Sequence, residues 1–543
     1  MQHKHNLIGL LILSTLITGL FIGTFHEPAS GSDALSGAST SLTYDSLVKN
    51  IIARHKAPFA GNAPLRQDDN TQSSMPAISS SPRDSDSSTL ISSHISSQTG
   101  IAMAVGPQTG HNLVVTTNSA YLPGYAFSTN DGASWVQKRL NAAIDPLTTI
   151  PYTFTHSTGA AFDQQRRVYI TTIAGNTFSD TLAGYANFDS QINVTIDTPG
   201  NRASSTSNAI VDYIPCHGQL ALPTLKSCQG QFDRPALAID TVPHSPSYNT
   251  VYVYYTYFCI GTFQNDGAAE PCSDGALSIP AQSSVILEAH STDSGHTFSS
   301  PTLVSGSLTQ AQFPSLVIDS RGTPHLFFED FSALPTIHLY ESTLANTLWS
   351  THPTQIASFT YNGLNNPNWH LRDFGTIAPA CSAVQDTAYC TFSATAVTTK
   401  SASSTPDIYL AAITLANGKA QITRVNADAN RGKHHIFPQV AAAPNDIYVG
   451  WYDDSADRAD ARLTYVVSQS TTTGRTFSPP RQVNHQPFQP CSNALSCLLL
   501  DNSSKLILAS GKGPDNAVHV AWLEGQSAEG ARVYVQTLMP STR

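Results

Sequence analysis

Charged residues are scarce in this sequence, and basic residues never cluster. Only 12 % of the 543 residues are charged, and the net charge is −10, whereas soluble proteins average about 25 % charged residues. No block of Lys or Arg is longer than two residues, so the electrostatic footprint of a nucleic-acid-binding protein is missing. A coiled coil or helical bundle would need more Glu, Lys and Arg, so the composition favours a turn-rich, all-β protein.

Several catalytic signatures are also missing. The sequence has no GxSxG, HExxH or P-loop motif, and no GxGxxG follows a strand-like segment, which removes the usual support for a serine hydrolase or a nucleotide-binding enzyme. No CxxC pair occurs either, so the spacing of the cysteines does not suggest a zinc site.

One long apolar run occurs, at the amino terminus. Residues 7–25 are uncharged and follow Lys4, a pattern that predicts an export signal, either cleaved or retained as a membrane anchor. We therefore expect residues 1–32 to be a signal peptide or anchor and the protein to be extracellular or attached to the cell surface. Residues 33–88 are expected to hold a short helix at 46–55 and a Ser-rich linker, and residues 89–543 the folded body.

The body repeats one pattern loosely: a short apolar strand, a polar turn and an alternating strand. Seven such openings occur between residues 101 and 506, about 68 residues apart. This spacing suits a four-stranded blade with generous loops. The prediction is an all-β propeller of four-stranded antiparallel blades, with seven blades expected and six as the alternative.

An eight-residue motif, S-x-D-x-G-x-T-[W/F], supports this architecture. Residues 291–298 match it fully, and residues 128–135 and 470–477 match it with mild substitutions. Side-chain oxygens at such positions accept bonds from turn amides, glycine tolerates positive φ, and the aromatic residue anchors the turn. We expect a structural role, closing the hairpin between the third and fourth strands of a blade, for Ser128, Asn130, Gly132, Trp135, Ser291, Asp293, Gly295, Phe298, Ser470, Gly474 and Phe477.

These motifs, with the phrases FDRPALAID and IFPQVAAAPNDIYVGWYDD, resemble the Asp-box, or bacterial neuraminidase repeat, propellers of the sialidase-like class. The resemblance covers the chain from about residue 89 to its end and implies a propeller fold. The last repeat lacks one strand, and we expect residues 89–93 to supply it beside residues 532–538, because that pairing closes the ring and leaves no bare edge.

The eight cysteines fall into four neighbouring pairs. Eight cysteines allow 105 pairings, so the sequence does not prove any of them. Sequential pairing is the simplest expectation and joins Cys216 to Cys228, Cys259 to Cys272, Cys381 to Cys390, and Cys491 to Cys497.

The resemblance also implies which loops open on the ligand side: those entering each first strand and those joining second to third strands. Substrate-binding roles then fall to Asp233, Arg234, Arg372, Asp373 and Tyr452, and acid/base roles to Glu329, Asp330, Asp453 and Asp454. Adjacent carboxylates disfavour double ionisation, which raises one pKa. The Asp–Arg neighbours could instead be ion pairs that tie blades together, and His434 and His435 are expected to lie in a surface loop.

The sequence departs from the sialidase pattern. The stretch at 98–102 has no arginine where the family carries its first one, and residues 118–125 lack the family's acid. Two hypotheses therefore remain: a non-catalytic protein that recognises a glycan or cell-surface polymer, and a glycoside hydrolase acting on acidic sugars. No cofactor or metal is expected, although calcium at Asp453, Asp454, Asp457 and Asp460 is an alternative to a solvated loop. We expect a monomer.

Overall fold

The computed structural model describes the propeller and leaves out parts of the chain. The described residues are 78–79, 88–91, 101–106, 111–119, 122–146, 149, 151–152, 154–180, 185–199, 207–214, 230–259, 262–263, 269–274, 276–364, 366, 368–369, 374–397, 404–426, 432–490, 504–508, 517–526 and 530–538. The predicted leader, its possible cleavage and the helix at 46–55 lie outside them. Among these residues no helix is long and apolar enough to cross a membrane.

The described residues form seven antiparallel sheets, each built around four strands, as expected. Two short strands precede the first blade: β1 (Ile78–Ser79) and β2 (Thr89–Leu90). Blade one contains β3 (Met103–Val105), β4 (Leu113–Ser119), β5 (Leu122–Ser128) and β6 (Ser134–Arg139). Blade two contains β7 (Phe154–Phe162), β8 (Val168–Asp180), β9 (Tyr185–Asp197) and β10 (Ser207–Ile214). Blade three contains β11 (Gly230–Ile239), β12 (Val251–Cys259), β17 (Ser283–Ser291) and β18 (Thr302–Leu303). An insertion within blade three adds two hairpins: β13 (Thr262–Phe263), β14 (Ala269–Glu270), β15 (Cys272–Asp274) and β16 (Leu277–Ile279).

Blades four to seven continue the pattern. Blade four contains β19 (Ala311–Ile318), β20 (Pro324–Asp330), β21 (Thr336–Ala345), β22 (Leu348–Trp349) and β23 (Thr354–Thr360), and blade five contains β24 (Ala380–Val384), β25 (Thr387–Ala394), β26 (Asp407–Thr414) and β27 (Lys419–Arg424). Blade six contains β28 (His435–Ala443), β29 (Asp446–Asp453), β30 (Thr464–Ser470) and β31 (Arg481–Gln482). Blade seven contains β32 (Ser504–Leu508), β33 (Val518–Gln526) and β34 (Gly530–Leu538). In blade five a 3-10 turn (Phe374–Ile377) precedes β24.

The first strands of consecutive blades contact one another all the way round, from β3 through β32 and back to β3. These strands therefore surround a central channel. Alternating apolar side chains of the inner strands pack between neighbouring blades, so the core is a ring of clusters rather than one centre.

A bulge bends three of these first strands in the same way. Pairing to the second strand shifts register at Arg234-Pro235, Phe313-Pro314 and Phe437-Pro438. Proline has no N–H to donate to a sheet ladder, so a bulge is where it fits. The residue before each proline has positive φ, between 48° and 58°, a conformation that costs a bulky residue roughly 1–2 kcal/mol. In β11 the bulge therefore determines the backbone conformation of Arg234.

The three Asp boxes close hairpins between third and fourth strands, as predicted. In blade three, Asp293 Oδ1 accepts the N–H groups of His296 and Thr297, and Oδ2 accepts the Thr297 hydroxyl at 2.6 Å. These bonds, that of the Thr297 hydroxyl first, lower the pKa of Asp293. Each box glycine has positive φ and faces the preceding blade: Gly295 meets Tyr169, Gly474 meets Leu410, and Gly132 meets Thr537. Of the aromatic residues, Trp135 is fully buried, whereas Phe298 and Phe477 are half-buried.

The ring closes where the sequence predicted. Strand β2 pairs with β34, with Thr89 opposite Val535 and Leu90 opposite Tyr534, and the N–H of Ile91 continues the ladder to the carbonyl of Val533 at 3.0 Å. Upstream, β1 lies within the segment interpreted as a linker and pairs with β6 of blade one.

Two of the four expected disulfides lie within the described residues and are confirmed: Cys259–Cys272 and Cys381–Cys390. The first joins the end of β12 to the insertion of blade three, and the second crosses a directly paired position of β24 and β25. The pairs Cys216/Cys228 and Cys491/Cys497 lie outside the described residues.

Candidate site in the central channel

The sequence-predicted acids and Arg234 lie at one end of the propeller. Strand pairing places Asp233 opposite Thr256 near the end of β12, Glu329 at the end of β20, and Asp453 at the end of β29. The ends of second strands and the starts of first strands form the same face. The Asp boxes lie between third and fourth strands at the opposite face, as the resemblance implied. Arg372 and Asp373 lie outside the described residues.

Charged residues of three blades interact through Arg234. Arg234 belongs to blade three, Glu329 to the neighbouring blade four, and Lys505 to blade seven. The charge of Arg234 acts on both Glu329 and Lys505. Because blades three and seven lie on opposite sides of a seven-membered ring, the interaction between Arg234 and Lys505 crosses the channel. We call Arg234, Glu329 and Lys505 the channel cluster.

Within the cluster, Glu329 is the acid with the most unusual environment. Its side chain is fully buried, and neither carboxylate oxygen has a hydrogen-bond partner in the described part of the chain. Burial raises the pKa of Glu329 well above its usual range, and the charge of Arg234 opposes that rise. Burial therefore favours the neutral, protonated form of Glu329.

This proton predicts a pH dependence of stability. The unfolded chain loses this proton at the ordinary glutamate pKa of about 4.3, whereas the folded state keeps it to higher pH. Between these two pKa values the free energy of unfolding falls as pH rises, by about 1.4 kcal/mol per pH unit. Glu329→Gln is expected to remove that slope and to be more stable than the wild type at pH 8. Urea unfolding at pH 5, 6.5 and 8 measures it. Parallel pH profiles for the two proteins would show that Glu329 is ionised in the fold.

Arg234 is held on two sides. Its guanidinium carbon lies 4.3 Å from the centre of the Phe313 ring, a cation–π contact, and its Nε lies 3.9 Å from Asp233 Oδ2. The side chain of Arg234 is 9 % exposed and that of Asp233 is 26 % exposed. This ion pair joins chain neighbours within β11.

Lys505 was not singled out from the sequence. It is the second residue of β32 and is half-buried. It makes no hydrogen bond or ion pair with any described residue. Burial, and then the charge of Arg234, lower its pKa to about 8. The only signal available in the sequence was a lysine at the start of an apolar strand that opens the last repeat.

Blade six carries a second polar group at the same face, where two histidines pair with two acids. His434 Nδ1 lies 2.8 Å from Asp454 Oδ2, within hydrogen-bonding distance. The backbone N–H of His434 donates a second hydrogen bond to Asp454 Oδ1. His435 Nε2 lies 3.4 Å from Asp453 Oδ2. The expectation of a surface loop for these histidines is wrong, since both are buried.

The acids of blade six are occupied by donors, which does not suit a cation. Asp453 accepts the N–H of Ser455 and the indole N–H of Trp451. Asp457 accepts three backbone N–H groups, and Asp460 accepts the Lys433 ammonium. Among the described residues no group of three or more potential ligands is placed to hold a metal ion.

The remaining candidates lie apart from the channel cluster or support it. Tyr452 is 1 % exposed, and its hydroxyl donates to the carbonyl of Leu523 at 2.9 Å, joining blades six and seven. Asp330 is buried, and its Oδ2 accepts the hydroxyl of Ser332.

A further acid pair escaped the sequence analysis because its members lie 62 residues apart. Asp212 of β10 and Asp274 of β15 interact, and the Tyr255 hydroxyl donates to Asp212. Burial, followed by the charge of Asp274, raises the pKa of Asp212 to about 7. The pair lies where the insertion of blade three meets blade two.

No family model and no curated protein matches this chain. Among solved structures, it is similar to the Hadza microbial sialidase Hz136, with 11 % identity, a TM-score of 0.40, and coverage of 79 % of this chain and 76 % of that one. It is also similar to an ulvan lyase of a new polysaccharide lyase family, with 10 % identity, a TM-score of 0.43, and coverage of 83 % and 97 %. A third similar structure is the NanB sialidase of Streptococcus pneumoniae, with 9 % identity, a TM-score of 0.37, and coverage of 79 % of this chain and 83 % of that one.

Proposed function

We propose that this chain is an extracellular or surface-attached propeller that recognises an acidic glycan at its central channel, with Arg234 and Lys505 binding the sugar's carboxylate. The observation that carries the proposal is the charge of the channel cluster. The charge of Arg234 contributes to lowering the pKa of Lys505, and burial favours the protonated form of the neighbouring acid Glu329. A bound anion would relieve the repulsion between the two cations.

The chemistry of the two cations suits a carboxylate. The planar guanidinium of Arg234 forms paired hydrogen bonds with a carboxylate, and the compact ammonium of Lys505 adds a point charge. Asp233 offsets part of the charge of Arg234, whereas Lys505 has no acid partner among the described residues. The resemblance to Asp-box propellers directs the proposal to an acidic sugar rather than to another carboxylate.

A glycan array tests this proposal. Wild-type protein is expected to retain carboxylated glycans and to ignore their neutral counterparts. Lys505→Met is expected to weaken retention by about tenfold or more, the size of one charge-assisted contact. Lys419→Met, on the exposed outer strand of blade five, is the matched control. Equal retention by the Lys505 and Lys419 variants, or equal retention of neutral glycans, would refute the proposal.

A second function has one observation in its favour. Burial favours the protonated form of Glu329, which is the form that a general acid needs to assist a leaving group in glycoside hydrolysis. Because Glu329 is fully buried, it would have to become accessible when substrate binds. Turnover of a panel of aryl glycosides, including a sialoside, that Glu329→Gln abolishes would support a glycosidase, and binding without turnover would support a recognition protein.

A further inference from the structure

Two buried polar nitrogens on neighbouring rings have no hydrogen-bond partner in the described part of the chain. They are Nε2 of His434 and Nε1 of Trp369, and each of these residues is 5 % exposed. The ring centres lie 5.2 Å apart, and the ring planes make an angle of 62°. His434 directly precedes β28 and therefore lies at the end of the propeller that carries Arg234. Buried polar groups are paired in almost all native structures, so these two nitrogens need an explanation.

Hydrogen bonds hold both rings in place. His434 is fixed through Nδ1 and through its backbone N–H, which bond the two carboxylate oxygens of Asp454 at 2.8 and 2.7 Å. The backbone N–H of Trp369 donates to the carbonyl of Asn366 at 3.3 Å. The side-chain amide of Asn366 in turn donates to the carbonyl of Asp460 at 3.1 Å, in the loop that follows β29. The two nitrogens are therefore held in fixed positions.

The two nitrogens need opposite kinds of partner. The Asp454 carboxylate is an acceptor, so Nδ1 of His434 carries the ring hydrogen and Nε2 is left as an acceptor. The indole Nε1 of Trp369 is only a donor. A second hydrogen on Nε2 would place two buried donors on adjacent rings, and neither has a described acceptor. A single group that serves both nitrogens must donate one hydrogen bond and accept another.

We infer that His434 and Trp369 bind one hydroxyl group between them. Its hydrogen is donated to Nε2 of His434, and its oxygen accepts the indole N–H of Trp369. Both rings are almost fully buried, so the group must be small, and an ionised carboxylate would lack the hydrogen to donate. Two sources supply this chemistry: an ordered water molecule and a hydroxyl of a bound sugar. The sugar source rests on the proposed function and adds a hydroxyl contact to the carboxylate contact at Arg234.

Two measurements on the full chain test the inference without any variant. In protein labelled with ¹⁵N, NMR at pH 7.5 is expected to show His434 with a hydrogen on Nδ1 and none on Nε2. A crystal structure of the free protein, grown without polyols, is expected to show one oxygen within about 3.2 Å of both nitrogens. A hydrogen on Nε2, or the lack of an oxygen shared by the two rings in crystals both free and soaked in methyl β-D-glucuronide, would overturn the inference.

The glycan array separates the two sources. If a sugar supplies the hydroxyl, Trp369→Phe is expected to weaken retention of carboxylated glycans about fivefold, the size of one hydrogen bond. Trp135→Phe is the matched control, because the indole nitrogen of Trp135 is also buried and unpaired but belongs to the Asp box at the opposite face. Equal retention by both variants, with the shared oxygen present in the free protein, assigns the site to water and rules out the sugar source, while the carboxylate site stands. If the wild type retains no carboxylated glycan, the proposed function fails, and the NMR and crystal results still decide the hydroxyl site.

Discussion

Removing residues 86–95 is expected to destabilise the protein by at least about 4 kcal/mol and to make its unfolding less cooperative. The deletion removes β2, which completes blade seven, and Ile91, which is fully buried in the largest core cluster. Loss of a buried isoleucine alone costs about 2–5 kcal/mol, and each lost ladder hydrogen bond adds about 1 kcal/mol. The bare edge of β34 would also invite association with a second chain.

Urea unfolding followed by tryptophan fluorescence measures this effect. A chain that begins at residue 80 is the matched control, because it loses β1 and keeps β2. It is expected to unfold close to the full-length protein, since β1 is an added edge strand of two residues on a blade that already has four. Equal stability of the 86–95 deletion and this control would show that the amino-terminal strand does not hold the ring closed.

Gly295→Ala is expected to cost about 3 kcal/mol of unfolding free energy. Gly295 has φ of +82°, and a Cβ there would lie 2.9 Å from the Tyr169 ring and 3.0 Å from Ile196. The backbone conformation costs an alanine roughly 1–2 kcal/mol, and forcing a methyl group into a packed interface adds about 1–3 kcal/mol. Tyr169 has little room to move, because its hydroxyl bonds both Asp163 and the carbonyl of Ser294.

Gly432→Ala separates the two costs. Gly432 also has positive φ, +102°, but a Cβ there meets no atom within 4 Å. This variant is expected to lose only the conformational cost. The same loss at both positions would contradict the account of the Asp box as the turn that docks each motif-bearing blade onto the preceding one.

Much of the fold could be predicted because its signals are local or repeated. An Asp box is complete within eight residues, and its bonds from Asp293 to the amides of His296 and Thr297 depend on nothing distant. The ring closure was predicted from a strand missing in the last repeat. The bulges were not predicted, although Arg-Pro and Phe-Pro pairs recur in three first strands, because their positive φ depends on pairing with the second strand.

The candidate site was harder to predict because its parts come from distant blades. Arg234 and Glu329 stood out as charged residues beside apolar strands. Lys505 did not, because its interaction with the charge of Arg234 depends on blades three and seven facing each other in the fold. His434 and His435 were misread for a related reason: each is paired with an acid about 20 residues away across a strand pair, and sequence adjacency suggested a solvated loop.

Titration of Lys505 is the most direct test of the channel cluster. Lysine labelled with ¹³C at Cε reports the pKa of each amine by NMR, and Lys505→Arg assigns the signal. A midpoint near pH 8 is expected for Lys505, and a higher one in Arg234→Met, still below the ordinary value of about 10.4 because burial, the larger cause, remains. A Lys505 that titrates near 10.4 in the wild type, or whose midpoint is the same in Arg234→Met, would contradict the convergence of the two cations.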